Sequence, residues 1–212
     1  MKLVFATNNP HKLAEVQAVL GPGFRLVTPA ELGVTEDIPE EQDTLEGNAL
    51  QKARYVHSRT GTDCFADDTG LEVEALGGEP GVHSARYATD GHDHAANRSL
   101  LLRRLDGADN RHACFRTVIA LVTDSGEHLF EGRADGTIAV SESGAGGFGY
   151  DNLFVPQGEA RTFACMSDSE KNALSHRGKA VRKLARFLSA SVPSGDGSGG
   201  RQSGSHTKAQ SK

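Results

Sequence analysis

Two adjacent carboxylates, Asp67 and Asp68, follow a short apolar run (Cys64, Phe65, Ala66) and precede Thr69, Gly70 and a second apolar stretch. Successive residues of a strand point to opposite faces. If a strand continues through them, the two carboxylates do different jobs: one faces a cleft while the other ties down its surroundings. Paired carboxylates at a strand end suit a hard cation such as Mg²⁺, which takes one or two protein carboxylates plus substrate phosphates. Asp and Gly also dominate ordinary turns. Taken alone, the stretch favours a turn at Gly70 between two short strands. Its weight as a site comes from three other groups of residues.

The first group is Thr7-Asn8-Asn9-Pro10-His11-Lys12, between an apolar run (Leu3 to Ala6) and a helical pattern in Leu13, Val16 and Leu20. Strand, polar turn and helix set backbone N–H groups and the Lys12 ammonium where anions bind well. Taken without the other groups, these residues favour an Asn-Pro turn followed by an exposed lysine. The second is the glycine-rich segment Ser143 to Asp151, whose Phe148 and Tyr150 offer rings for a base to stack on or to plug the core. The third is Lys171 with the pair His176-Arg177, placed in the first turn of a helix that starts at Ser175. Basic residues there oppose the helix dipole and suit an anionic or carbonyl ligand instead.

The elements that position these groups are legible in outline. Helices are expected from His11 to Leu20, from Thr44 to Gly61, from Ala95 to Leu105, and beyond Ser175, with Ser167 and Glu170 forming a capping box between. In the second helix Leu45, Ala49, Ala53 and Val56 make the apolar face, and Lys52, Arg54 and Arg59 fall on other faces. Ala113 to Thr123 is the strongest strand. Asp124-Ser125-Gly126 turns it into Glu127 to Phe130, followed by a separate strand from Thr137 to Val140, so the sheet is mixed. The acidic stretch from Thr28 to Asp43 reads as a surface loop, in which Glu40 is the candidate to reach a metal held by Asp68.

The chain has 212 residues and a net charge of −5. That length suits one or two packed lobes. The charge gives no general attraction for nucleic acid polymers or anionic membranes. Cys64, Cys114 and Cys165 lack metal-site spacing and read as reduced, semi-buried residues of a cytoplasmic protein. The start of the chain is too short for a signal segment, and no run approaches membrane-spanning length. Residues 1–190 read as one domain and 191–212 as a disordered Ser/Gly-rich tail.

Together the motifs resemble the inosine triphosphate pyrophosphatase family. The matching residues are Ala6 to Lys12 with Glu15, Ala66 to Leu71 with Pro80-Gly81 and Ser84 to Tyr87, then Phe148 to Asp151, Glu170-Lys171-Asn172 and Ser175-His176-Arg177. The resemblance implies an elongated, two-lobed α/β fold around a long mixed β-sheet, with the active-site cleft between the lobes. It implies Mg²⁺-dependent hydrolysis of ITP, dITP and XTP to the monophosphate and pyrophosphate, by a homodimer. By position, Asp68 becomes the general base and a metal ligand with Glu40. Thr7, Asn8, Asn9, Pro10, His11 and Lys12 hold phosphates, Thr69 contacts substrate, and Phe148, Gly149, Tyr150, Asp151, Lys171, His176 and Arg177 form the nucleoside pocket. Three residues depart from the family pattern: Thr69 for a common Ser, Asn152 for a common Pro, and Cys165 for a common Glu. A regulatory module that binds nucleotides without turnover, and a pyrophosphatase for modified pyrimidine nucleotides, are the competing readings. The first leaves Asp67 and Asp68 without a task beside phosphates, and the second is disfavoured by the Lys171, His176 and Arg177 set.

Overall fold

The computed structural model describes residues 1–190; the expected tail at 191–212 lies outside them. The first apolar run forms strand β1 (Lys2–Phe5), buried from Leu3 onward. Asn9 caps helix α1 (Pro10–Leu20), its side chain accepting from the amides of His11 and Lys12. Pro10 fills the first helical position, where its missing N–H costs nothing. Strand β2 (Arg25–Val27) pairs with β1 in parallel. Helix α2 (Leu45–Thr60) begins at Thr44, whose hydroxyl accepts from the Gly47 amide, and ends at Gly61 in the left-handed conformation.

Strand β3 (Cys64–Val73) runs unbroken through Asp67, Asp68 and Gly70, so the expected turn at Gly70 is not there. The glycine answers a different need. A Cβ at Gly70 would lie 2.7 Å from the carbonyl oxygen of Gly81, because the short strand β4 (Pro80–Gly81) packs against β3 at this point. Helix α3 (His94–Arg104) is capped by Asp93. Strands β5 (His112–Thr123) and β6 (Gly126–Ile138) form the expected hairpin. In place of two expected segments, β6 is one continuous strand of 13 residues. Its internal glycines mark close approaches rather than breaks: a Cβ at Gly132 would sit 2.0 Å from the His176 carbonyl oxygen, and one at Gly136 would sit 2.2 Å from that of Val155. Strand β7 (Phe154–Pro156) follows, then α4 (Asp168–Leu174) with the Ser167–Glu170 capping box as expected, and α5 (His176–Ala190).

The seven strands make one mixed sheet in the order β2-β1-β3-β5-β6-β7, with β4 beside β3. Alternation sorts its two faces. Leu3, Phe5, Phe65, Ile119 and Leu121 pack under α1 and α5 with Val16, Leu20, Val181 and Leu184. On the other face, Val4, Ala6, Cys64, Ala66, Val118 and Ala120 pack against Leu45, Ala49, Ala53 and Val56 of α2. Farther along the same long strands, Leu71, Val73, Phe115, Ala134 and Ile138 enter a third cluster with Leu101, Leu105, Tyr150, Phe154 and Phe163. Full burial of one such large apolar side chain contributes about 1.5–3 kcal/mol. Three strands thus run through two lobes, and Asp67 and Asp68 lie where one core gives way to the next. Cys64 and Cys114 are buried, whereas Cys165 is exposed, against the expectation of burial.

Candidate active site

Because β3 does not bend, Asp67 follows Phe65 onto the α1/α5 face, and Asp68 follows Ala66 onto the α2 face. On the first face, Asp67 Oδ1 accepts from Lys12 Nζ at 3.0 Å and Oδ2 from Arg177 Nε at 3.2 Å. Burial by itself would raise the Asp67 carboxyl, but Lys12 and Arg177 outweigh it and hold the group well below the usual carboxylate range. On the second face, Asp68 Oδ2 accepts from Asn48 Nδ2 at 3.1 Å, and Oδ1 accepts from the Thr69 amide at 3.0 Å and lies 3.6 Å from Lys52 Nζ. Burial raises the Asp68 carboxyl, and Lys52 and Lys12 only partly counter it. Two neighbouring carboxylates are pushed in opposite directions, the pattern that separates a proton acceptor from a fixed anion.

Lys52 also pairs with Glu40, which lies 3.6 Å from Arg86. Its ammonium therefore stands between Glu40 and Asp68. Burial opposes the charge on Lys52, yet Asp68 and Glu40 more than compensate and raise its pKa. The expectation that Lys52 lies off the apolar face of α2 is wrong: it is buried there with Asn48, Ala49 and Ala53. A lysine one helical turn from Asn48 and from Val56 shares their face, and a lysine in that position has to find carboxylates. That spacing was the missed signal. Among the described residues no group of three or more His, Cys, Asp or Glu is placed to hold a metal ion.

The remaining cations gather around Glu15. Lys171 Nζ donates to Glu15 at 2.5 Å and to Asp151 at 2.6 Å; Arg177 Nη1 donates to the other Glu15 oxygen at 2.5 Å and Nη2 to Thr69 Oγ1 at 3.3 Å. Thr69 Oγ1 also shares a hydrogen bond with Thr117 Oγ1 at 2.6 Å. Glu15 thus joins α1 to α4 and α5, a role the motif match left unassigned. Phe148 stands over this cluster, its ring centroid 5.0 Å from Lys171 Nζ, 5.5 Å from the Arg177 guanidinium carbon and 5.3 Å from the His11 ring. His176 is buried and stacked on Phe115; its Nδ1 has no hydrogen-bond partner, and burial pushes its pKa well below the usual value, so it is neutral at pH 7.

The structure therefore brings together Lys12, Thr69, Phe148, Asp151, Lys171 and Arg177, with His11 over Phe148, while the His176 ring stacks on Phe115 of the core. Thr7 and Asn9 shape the entry to α1, where the Thr7 hydroxyl accepts from the Asn9 amide at 3.1 Å. Asn8 and Pro10 are exposed beside them. Gly149 takes a left-handed φ of 63° in the loop. Tyr150 does not share the cluster: its ring is buried in the core and its hydroxyl donates to the Ser84 carbonyl at 2.8 Å. The two aromatic residues, equivalent in sequence, have divided the alternatives between them. A cavity of about 780 Å³, lined by Glu72, Cys114, Arg133 and Asp135, lies on other parts of β3, β5 and β6 and includes none of these residues.

Lysines and an arginine interleave with carboxylates across a mixed sheet, with an aromatic ring above them: the class is a mixed α/β protein with a cluster of buried charges at the meeting of its two lobes. The family follows from comparison. The chain belongs to the Ham1 family, whose model matches residues 3–187. It is 55% identical over 188 residues to the dITP/XTP pyrophosphatase of Porphyromonas gingivalis, covering 88% of this chain and 97% of that one. It is 49% identical over 193 residues to the dITP/XTP pyrophosphatase of Mycobacterium tuberculosis, covering 88% and 95%. Among solved structures, the Ham1 protein of Staphylococcus aureus matches with a TM-score of 0.82 at 35% identity, covering 90% of this chain and 99% of that one. A HAM1 protein from Coxiella burnetii matches with a TM-score of 0.82 at 38% identity, covering 90% and 100%. The mixed, two-lobed α/β architecture and the family resemblance read from the motifs are both borne out.

Proposed function

We propose that this protein hydrolyses non-canonical purine nucleoside triphosphates, of the ITP, dITP and XTP kind, to the monophosphate and pyrophosphate. The observation that carries the reading is the divided carboxylate pair. Asp67 is held as a fixed anion that orients Lys12 and Arg177. Asp68, on the other face, has its proton affinity raised by burial while Asn48 and the Thr69 amide hold both its oxygens in place. That environment suits a general base: Asp68 takes a proton from water as the water oxygen bonds to phosphorus. The phosphoanhydride bond between the α- and β-phosphates breaks, and pyrophosphate leaves with the bonding electrons. Lys12 and Lys52 balance the charge of the triphosphate, and the residues from Thr7 to His11 line its entry.

Lys171 and Arg177 present donors beneath Phe148, where a purine can stack. Neutral His176, next in the chain to Arg177 and stacked on Phe115, holds an unpartnered Nδ1 that we take as a further group for the base. Asp68 and Glu40 suit Mg²⁺ by donor chemistry: two hard oxygen ligands already converge on one cation, the Lys52 ammonium. When bound there, the metal would neutralise charge on the phosphates and polarise them. We take residues 1–190 as the catalytic domain, acting on free nucleotides rather than nucleic acid or membrane, in the cytoplasm and as a homodimer. The charge of −5 agrees with the first point, and no helix among the described residues is long and apolar enough to cross a membrane.

The test is pyrophosphate release across a panel of purine and pyrimidine nucleoside triphosphates with Mg²⁺. Release from ITP, dITP or XTP well above ATP, GTP and modified pyrimidine nucleotides is expected. Tight binding of ITP without release would favour the regulatory module instead.

A further inference from the structure

The glycine-rich loop that carries Phe148 is tied to α3 by one arginine. Arg98 Nη1 donates to the Gly149 carbonyl at 3.1 Å, and its Nε donates to Glu142 Oε1 at 3.0 Å. The second Glu142 oxygen accepts from Asn152 Nδ2 at 2.5 Å. Arg98 thus touches the loop near its tip, while Glu142 joins the two ends of the loop to each other and to Arg98. The Ser143 amide closes the same neck by donating to the Asn152 carbonyl at 2.8 Å. The Arg98 side chain is 17% exposed, against 57% for Arg54 and 54% for Arg133 in their pairs, while its partner Glu142 is exposed.

A loop built from Gly144, Gly146, Gly147 and Gly149 has much conformational freedom to lose, so an external tie has a large effect on where it rests. The Phe148 amide donates to Asp151 Oδ2 at 2.8 Å, the oxygen that also accepts from Lys171, and the Gly146 amide donates to the Ala164 carbonyl at 3.1 Å. The loop is thus held on the α4 side as well, and Arg98 supplies the tie to α3. The neighbouring residue on α3, Asn97, holds the segment beneath Tyr150: it donates to the Ala85 carbonyl at 3.0 Å and accepts from the Ala88 amide at 2.8 Å. One turn of α3 therefore grips both the loop and the ground on which Tyr150 is anchored.

We propose that Arg98, acting through Glu142 and Gly149, is a positioning residue for the nucleobase: with Asp151 joining the Phe148 turn to Lys171, Arg98 sets from the α3 side the tilt and height of the Phe148 ring over Lys171 and Arg177. This rests on the reading that Phe148 meets a purine. The hydrogen bonds of Arg98 go to the loop, not to Lys12, Lys52 or Asp68. Its loss weakens substrate binding in the ground and transition states alike, which raises KM and leaves kcat nearly unchanged. A charged hydrogen bond of this kind corresponds to about a tenfold change. Lysine cannot reproduce the two-pronged contact of arginine, so it restores only part of the effect.

The full-length protein and its Arg98→Ala, Arg98→Lys and Arg103→Ala variants test this with two readouts, amide hydrogen exchange of residues 143–152 and steady-state kinetics with ITP. Expected for Arg98→Ala are loop amides that exchange faster and a KM raised about tenfold with kcat retained. Arg98→Lys should fall between it and the unaltered protein, and Arg103→Ala should match the latter. A lower melting temperature with KM and loop exchange unchanged would overturn the proposal and leave Arg98 a simple staple. Faster exchange with an unchanged KM would overturn it too. Failure of the unaltered protein to release pyrophosphate from ITP would sink the functional reading, and the base-positioning role with it, before any variant is compared.

Discussion

At the scale of residues, the site depends on one strand continuing where a turn was expected. Opposite faces give Asp67 two cationic partners and leave Asp68 with an amide, a backbone N–H and a more distant lysine. Asp68→Asn keeps the size and the contact with Asn48 but accepts no proton at neutral pH. A fall in kcat of about 10²–10⁴ is expected, with the fold retained by circular dichroism and ITP binding preserved by calorimetry. A folded Asp68→Asn protein with full turnover would remove the mechanism. Lys52 offers a second test through pH. Its positive charge favours the ionised form of Asp68, so Lys52→Met should let the carboxyl rise further above its ordinary value. Since the base works only when deprotonated, the acidic limb of the kcat/KM profile should move to higher pH. An unmoved limb would mean that some other group titrates there.

At the scale of elements, the position of α5 is set by backbone contact with β6. Gly132 leaves no room for a side chain: a Cβ there would meet the His176 carbonyl oxygen at 2.0 Å and the Ala180 nitrogen at 2.6 Å. These are the first turns of the helix that carries Arg177. Gly132→Ala should push α5 off the sheet at the cost of about 1–3 kcal/mol typical of overpacking. Because the same movement drags Arg177 from Asp67 and Glu15, activity should fall more than stability. Thermal melts and ITP kinetics on the one variant check both, and loss of stability with normal kinetics would show that the strand yields instead of the helix.

At the scale of the whole molecule, α1 through Glu15 meets α4 and α5, more than 150 residues along the chain, beneath Phe148 through Lys171 and Arg177. The donors there suit the keto oxygen of hypoxanthine or xanthine, whereas adenine presents an amino group at the same position. A buried donor left facing a donor costs about 1–3 kcal/mol. The ratio of kcat/KM for ITP over ATP should therefore reach at least about tenfold. Equal values, measured by pyrophosphate release, would refute the assignment of Lys171 and Arg177 to the base.

The local order of the chain was open to reading because it rests on short-range rules. Caps at Thr44 and Ser167 satisfy amides a few residues away, and periodic apolar residues mark the faces of α1, α2 and α5. The spaced motifs likewise announced the family, and they named Lys12, Thr69, Phe148, Asp151, Lys171 and Arg177, which the fold gathers into the candidate site. What sequence could not decide was anything set by a partner far along the chain. Gly70 read as a turn because its reason is the backbone of Gly81; Gly132 and Gly136 hid a single long strand because their reasons are α5 and β7. Lys52 read as a surface lysine because Asp68 and Glu40 reach it only when α2 packs on the sheet. Phe148 and Tyr150 were interchangeable until the core took one ring and left the other over the cations. A close approach or a buried charge has two sides, and tertiary packing alone supplies the second.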